Sequence, residues 1–181
     1  MGLDIYFYKH RNTNNHIERA LKEFYEQFSE QMPASKVREL AEELGVRDRV
    51  SVEEHEYAMN GKPTAYTTAY RTDTEEVGYM RKHNHLLPYF GYGENCSNQP
   101  VSRSAIEAFI DDATEVLSHW GEEGFENVAN DLIPHEEGFF FGGYDYDDWY
   151  RQDLEEDIRI FKDILAETDW NTDIVVMHCW W

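Results

Sequence analysis

Basic residues are scarce in the second half of this 181-residue chain, and the shortage argues against one large class of function. Residues 107–181 contain 21 acidic and 3 basic residues, a net of −18, whereas residues 1–106 contain 16 and 13, a net of −3. Binding to nucleic acid through its phosphates requires a patch of Lys and Arg. The sequence therefore predicts no direct nucleic-acid binding, and the acidic half is expected to attract basic protein surfaces or cations.

The chain also has little cysteine, no long apolar run and no recognisable targeting signal. Its two cysteines, Cys96 and Cys179, favour free thiols in a reducing cytoplasm over a disulfide scaffold. The N-terminus lacks a basic region followed by a long apolar region. No apolar run reaches the roughly 20 residues that span a bilayer. We therefore expect a cytoplasmic protein that does not enter a membrane.

The hydrophobic pattern predicts a single α+β domain over residues 1–181. Asn60-Gly61 lies between two β-rich runs and is typical of a hairpin turn, and this hairpin, about 50–72, is a candidate insertion. Strands and helices do not alternate regularly, which favours an antiparallel or mixed sheet covered by helices mainly on one face. The predicted strands cover residues 3–8, 50–58, 64–72, 139–143 and 174–179, with a further strand end and a short helix within 77–90. The predicted helices run from 14 or 15 to about 32, from 35 to 44, from 104 to 120 (with Ser104-x-x-Glu107 as a capping box), from 123 to 132 and from 149 to 166.

Three consecutive phenylalanines, Phe139–Phe141, lie between glycines in the most acidic part of the chain. Side chains of a strand alternate between its faces, so the three rings cannot share one face. Alternation sends Phe139 and Phe141 into the core and turns Phe140 towards the segment Arg81–Asn84. We call residues 139–141 the phenylalanine run.

Arg81 and Lys82 are two of only six basic residues after Arg71. Adjacent bases in an acidic protein either pair with acids or bind an anion. If they and Asn84 face a cleft walled by the phenylalanine run, the site suits a planar or anionic small molecule. Arg81, Lys82, Asn84 and Phe140 are therefore the candidate ligand-binding residues.

His83 and His85 flank Asn84, and alternate positions on a strand could share a metal ion. A third ligand is not near in sequence, so Cys96, His119 or His135 would have to approach through folding. We interpret the two histidines as polar surface residues and predict no bound metal, no cofactor and no catalytic residue. The acids that follow the phenylalanine run lack the spacing of a calcium-binding loop.

Several segments resemble, in the same order, a family of uncharacterised phage and prophage proteins that begin MGLDMYL and carry VGYWRKAN and GFFFG elements. The chain departs from that family at Met80, where Trp is usual, and at Leu87, where His occurs. The resemblance implies a common origin and one fold, and it implies no activity. The matching segments are Met1–Tyr6, Val77–Asn84, Asn95-Cys96, Val101–Arg103, Leu132–Gly142, Tyr144–Asp147 and the terminal Trp.

Charge and resemblance together favour a phage-like protein without catalytic activity that binds a partner through its acidic half. Asp145, Asp147, Asp148 and Trp149 are the predicted interaction face. The expected partner is a basic protein surface or a host factor, and mimicry of DNA is one concrete form. The alternative is a small-molecule or anion-binding protein, or a hydrolase, with its site near Arg81, Asn84 and the phenylalanine run.

Overall fold

The computed structural model contains helices and two antiparallel sheets, which confirms the predicted α+β class. It describes residues 2–12, 15–59, 62–91, 99–138 and 141–180. The strands are β1 (Asp4–Arg11), β2 (Val50–Met59), β3 (Lys62–Arg71), β4 (Thr74–Arg81), β5 (Gln99–Val101) and β6 (Asp173–Trp180). The helices are α1 (Asn15–Gln27), α2 (Ala34–Glu43), α3 (Leu86–Phe90), α4 (Arg103–Ser118), α5 (Phe125–Leu132) and α6 (Asp148–Glu167).

The chain divides into two compact units. The first consists of Met1–His10 and Glu75–Trp181, and the second of Arg11–Thr74. The predicted hairpin lies in the second unit, together with α1 and α2. This division does not decide whether the units fold as one domain, so the single-domain assignment stays a prediction.

The first unit is built on a four-stranded sheet of order β4-β1-β6-β5. Three buried aromatic rings, Phe7 of β1, Phe109 of α4 and Phe161 of α6, join this sheet to its helices. The ring of Phe161 lies edge-on to both of the others, with centroid distances of 5.1 Å to Phe7 and 5.0 Å to Phe109. Edge-to-face contacts of this kind add to the stabilisation from burial.

Gly78 of β4 allows α6 to lie very close to the sheet. A Cβ atom at this position would stand 3.0 Å from Ile160 Cγ2 and 3.2 Å from Ile164 Cδ1. A larger residue would require the side chains of Ile160 and Ile164 to shift by a few tenths of an ångström, so Gly78 suits the close approach of α6. The same helix carries the residues that form the floor of the candidate site described below.

The second unit packs α1 and α2 on one face of the hairpin β2–β3. The strands pair in antiparallel register from Val50↔Arg71 to Met59↔Lys62, as the Asn60-Gly61 signal predicts, although those two turn residues lie outside the described part. This unit has a separate hydrophobic core, which includes Phe24, Val37 and Val50, each at most 1% exposed.

Two predicted element boundaries are wrong for local reasons. The cap of α4 is Ser102 and not Ser104, because the Ser102 hydroxyl accepts a hydrogen bond from the backbone N–H of Ala105 at 3.1 Å. Helix α1 ends at Gln27 and not near residue 32, and the Ser29 hydroxyl there accepts from the N–H of Gln31. Serine side chains that bond to nearby backbone compete with helix formation.

The predicted strand over 139–143 is wrong for the residues that can be described there. Residues 141–143 are not in a strand, and the N–H of Phe141 donates to the carbonyl of Gly138 at 3.1 Å, a local contact rather than a ladder. Phe141 is 6% exposed and lies in the core of the first unit, as predicted. Phe139 and Phe140 lie outside the described residues.

Cys179 is buried and disulfide-bonded, so the interpretation of this residue as a free thiol is wrong. Cys96 lies outside the described residues. The cytoplasmic localisation therefore stays a prediction and loses its argument from cysteine chemistry. Among the helices described here, each is too short or too polar to cross a membrane.

Candidate functional site

A cleft of about 700 Å³ opens in the first unit beside the end of β4. It brings together residues from both sets that the sequence singled out. Arg81 and Lys82 of the predicted ligand site line it, as do Asp145, Asp147 and Trp149 of the predicted interaction face. Asn84 lies behind its wall, Asp148 is outside it, and Phe140 is not among the described residues. The remaining lining residues are His135, Gly142, Gly143, Tyr150 and Asp153.

Lys82 has an unusual backbone conformation at the rim of this cleft. Its φ of 67° lies in the left-handed region, which non-glycine residues adopt only at a cost. The conformation is fixed on both sides, since Lys82 N–H donates to the carbonyl of Leu3 and the Lys82 carbonyl accepts from the N–H of Asn84, both at 2.8 Å. The chain therefore turns sharply at the end of β4 and leaves the Lys82 side chain exposed.

Asn84 is 1% exposed and ties the wall of the cleft to the end of β4. Its Nδ2 donates to the backbone carbonyls of Phe141 at 3.2 Å and Gly143 at 2.9 Å. Its Oδ1 lies 2.6 Å from His135 Nδ1, which must be the donor because an amide oxygen only accepts. These bonds use the amide fully, so Asn84 holds the loop rather than offering its side chain to the cleft.

Beneath the cleft, His83 and His85 share the carboxylate of Asp157. His83 Nδ1 lies 2.7 Å from Asp157 Oδ1, and His85 Nε2 lies 2.6 Å from Asp157 Oδ2. The exposed fractions are 5% for His83 and 0% for His85 and Asp157, so the interpretation of the histidines as surface residues is wrong. The second nitrogen of His83, Nε2, lies 3.4 Å from Asp153 Oδ1, and Asp153 lines the cleft.

The charges in this buried group depend on one another. Burial alone would lower the pKa of His83, but the charge and hydrogen bond of Asp157, helped by Asp153, raise it to about 9. Burial would raise the pKa of Asp157, yet the two histidines hold it below its usual value, chiefly His83. At neutral pH the buried carboxylate is therefore ionised and His83 carries the balancing positive charge. Burial raises the pKa of Asp153, against the opposing effect of His83 and His85.

His135 is neutral at the side wall. Burial, with a contribution from His85, lowers the pKa of its imidazole to about 4. Its Nε2 is buried and has no hydrogen-bond partner among the described residues. The ring stacks on Tyr146 at a centroid distance of 4.9 Å and meets Tyr150 edge-on at the same distance.

Of the two described residues that folding could have brought to the two histidines, His135 lies near them and His119 does not. The ring centroid of His135 lies 6.2 Å from that of His85. His119 is on the surface, where its ring nitrogens pair with Glu115 and Glu122. Cys96 lies outside the described residues.

Sequence reasoning missed Asp157, the residue that organises the buried group. The signal was present in the pattern of α6, because Asp157 lies three residues after Leu154 and four before Phe161, both inward-facing. A carboxylate at an inward position of an amphipathic helix needs a partner. What the pattern could not give was the identity of that partner, which lies more than 70 residues earlier in the chain.

Comparison of the chain with models of protein families, with curated proteins and with solved structures gives no significant match. The resemblance to phage proteins therefore stays a prediction, and function has to be argued from the geometry of the site.

Proposed function

We propose that this protein binds a small anionic molecule in the cleft, with Lys82 and Arg81 as its cationic contacts. The observation that carries the proposal is Lys82, an exposed cation at the rim that has no acidic partner among the described residues. Lys162 also has no acidic partner in the described ranges, so what distinguishes Lys82 is its place in the lining of the cleft. Its left-handed backbone is the kind of local strain that clusters at ligand sites.

Arg81 supports the same interpretation. Its side chain is 56% exposed, and its only ion-pair partner in the described part of the chain is Asp4, with Nε 4.0 Å from Oδ1. That distance is at the limit of a salt bridge, so the guanidinium is free to turn towards an anion. Together the two side chains place two positive charges in the lining of the cleft.

Acidic residues also line the cleft and restrict the ligand. Asp145 and Asp153 would repel an anionic group, whereas Asp147 is occupied as the cap of α6, accepting from the N–H of Trp149 at 2.9 Å. The indole of Trp149 is 73% exposed and offers a flat apolar surface. We therefore expect a planar molecule whose negative group contacts Lys82 and which donates a hydrogen bond to Asp145 or Asp153.

Calorimetric titration tests this proposal with three probes: adenosine monophosphate, adenosine and inorganic phosphate. The monophosphate combines a planar group with an anion, so it should bind more tightly than either part alone. Lys82→Gln should weaken its binding at least tenfold, and Arg81→Gln should do so less strongly. Lys162→Gln, a change of charge elsewhere on the first unit, is the matched control and should have no effect. Equal binding by wild type and Lys82→Gln, or absence of binding to all three probes, would refute the proposal.

We propose an acidic interaction face as a second function, because Trp149 and Asp148 are both strongly exposed at the start of α6. The Trp149 side chain is 73% exposed and that of Asp148 76%. The charge of α6 is, however, partly neutralised within the helix. Arg151 pairs with Asp148 and Glu155, and Arg159 pairs with Glu156 and Asp163. Mimicry of DNA needs a continuous acidic stripe, so this pairing favours the ligand cleft over the interaction face.

A lysine- and arginine-rich peptide is a suitable probe for the second function. Its binding should weaken steeply with added salt, because exposed charges are screened beyond about 10 Å at 0.1 M ionic strength. The triple variant Asp145→Asn, Asp147→Asn, Asp148→Asn should bind it more weakly while keeping its fold, since asparagine also caps helices well. Unchanged affinity of the triple variant would leave these acids with a role in solubility alone.

A further inference from the structure

We propose that His83, His85 and Asp157 bind one divalent transition-metal ion in the floor of the cleft. Their ligand atoms, two imidazole nitrogens and a carboxylate oxygen, lie within 4.8 Å of one another. Zinc binds such ligands at about 2.0–2.2 Å, so two ligand atoms on one tetrahedral ion stand about 3.3 Å apart. His83 Nδ1 lies 2.7 Å from Asp157 Oδ1 and His85 Nε2 lies 2.6 Å from Asp157 Oδ2, and these separations need to widen by less than 1 Å. The longest separation among the three ligand atoms, at most 4.8 Å, needs to shorten by up to about 1.5 Å.

The surroundings of His83 provide an independent observation. A histidine that ligates a metal through one nitrogen usually donates its other ring N–H to a carboxylate or carbonyl. His83 has this arrangement, with Nδ1 directed at Asp157 and Nε2 3.4 Å from Asp153 Oδ1. Asp153 therefore fits the role of a carboxylate that orients a ligand, and it is also the residue that connects the floor to the open cleft.

The burial of His85 and Asp157 supplies a second observation. Both side chains are fully buried, and His85 Nε2 lies 2.6 Å from Asp157 Oδ2, so this nitrogen and the carboxylate already face each other where a shared ion would lie. Placing two imidazoles and a carboxylate in an apolar interior is also costly if they serve only each other.

The composition of the site indicates the class of ion. Two imidazoles and one carboxylate suit zinc and similar first-row ions better than magnesium or calcium, which prefer all-oxygen ligands. Three protein ligands leave a fourth position for water or another small ligand, as in zinc sites that are not purely structural. The net charge of −18 over residues 107–181 favours the approach of any cation. The metal site does not depend on the proposed anion site, and its test uses no anionic small molecule.

The test is a titration of chelator-treated protein with zinc chloride by calorimetry and with cobalt chloride by visible absorption. Wild-type protein should bind one zinc ion per chain with micromolar or tighter affinity, and cobalt should give the absorption of a four-coordinate site. His83→Gln and His85→Gln should each weaken zinc binding at least tenfold. His119→Gln is the matched control, since His119 also lies between two carboxylates but on the surface, and should bind zinc like the wild type.

The wild-type titration alone can overturn the proposal, so a variant that fails to fold does not leave it open. Absence of stoichiometric zinc binding would mean that the three residues form only a buried hydrogen-bonded ion pair. Zinc binding that is lost in His119→Gln and kept in His83→Gln would place the ion on the surface. Failure of adenosine monophosphate to bind metal-free protein would refute the anion site and leave this result unaffected.

Discussion

A single amide, that of Asn84, joins the segment after β4 to the loop that walls the cleft. Asn84→Ala removes the donor to the backbone carbonyls of Phe141 and Gly143 and the acceptor of the His135 Nδ1–H. We expect a loss of about 1–3 kcal/mol in the free energy of unfolding, measured by urea denaturation. The matched control is Asn130→Ala, which removes only an exposed bond from Tyr146 and should cost less than about 0.5 kcal/mol. Equal losses in both variants would contradict the structural role assigned to Asn84.

Phe141 fills the core of the first unit from a loop rather than from a strand. Phe141→Ala should cost about 3–5 kcal/mol, the usual range for truncating a buried phenylalanine, and thermal melting will measure it. From the alternation argument, Phe139→Ala should cost as much and Phe140→Ala clearly less. Equal large losses at all three positions would mean that the phenylalanine run is core throughout, and Phe140 would cease to be a candidate ligand residue.

His178 of β6 gives stability a dependence on pH. Burial lowers its pKa below the ordinary value, so the folded protein resists protonating it. Below about pH 6.5 the unfolded chain binds a proton at this residue that the folded chain does not. The free energy of unfolding therefore decreases as the pH is lowered. When the pH is lowered from about 7.5 to about 5.5, the melting temperature of His178→Gln should therefore fall by less than that of the wild type.

His119 is the control of opposite sign. Its hydrogen bonds to Glu122 and Glu115 raise its pKa, so its protonation favours the folded state and this contribution is lost as pH rises. On acidification, the melting temperature of His119→Gln should fall by more than that of the wild type. Identical pH profiles for wild type and both variants would show that neither histidine is coupled to folding.

At the scale of elements, the close approach of α6 to β4 depends on Gly78. Gly78→Ala should destabilise the protein by about 1–3 kcal/mol, because its methyl group would meet Ile160 Cγ2 at 3.0 Å. Adding Ile160→Ala removes that atom, so the double variant should lose less than the sum of the two single losses. Gly143→Ala is the control, since a Cβ there meets nothing within 4 Å. Denaturation curves for these variants check the prediction, and strictly additive losses would contradict it.

The elements themselves could largely be predicted from the sequence, because their signals are local. The apolar spacing of α6 and the Asn60-Gly61 turn each specify structure within a few residues. The conformation of the loop around Phe141 could not be predicted from the sequence. It depends on hydrogen bonds from Asn84, which is more than 50 residues away in the chain. Arg81 and Lys82 line the cleft, and their assignment as ligand-binding residues stays a prediction. The burial of His83 and His85 depends on Asp157, far along the chain.

At the scale of the whole molecule, the chain leaves the first unit after β1 and re-enters it at β4. These two strands are neighbours in the sheet, and Lys9 Nζ lies 3.0 Å from Glu75 Oε2 across them. The two ends of the second unit are thus anchored about one strand spacing apart, roughly 4.8 Å. A variant in which Asn-Gly replaces residues 12–73 should therefore join β1 to β4 as a hairpin and melt cooperatively.

This variant retains every residue of the cleft and of the buried histidine pair. It should bind zinc and adenosine monophosphate as the full chain does. Circular dichroism and the same calorimetric titrations measure the outcome. A shortened protein without a cooperative transition would show that the first unit requires residues 12–73 in order to fold.

The position of the second unit also has a consequence for inheritance. The chain leaves the first unit and returns to it on adjacent strands. Residues 11–74 can therefore be lengthened, exchanged or lost through one in-frame event in the gene, and the strand order of the sheet stays the same. Descendants of a common ancestor would then share β1 and everything from β4 onward while differing entirely between them.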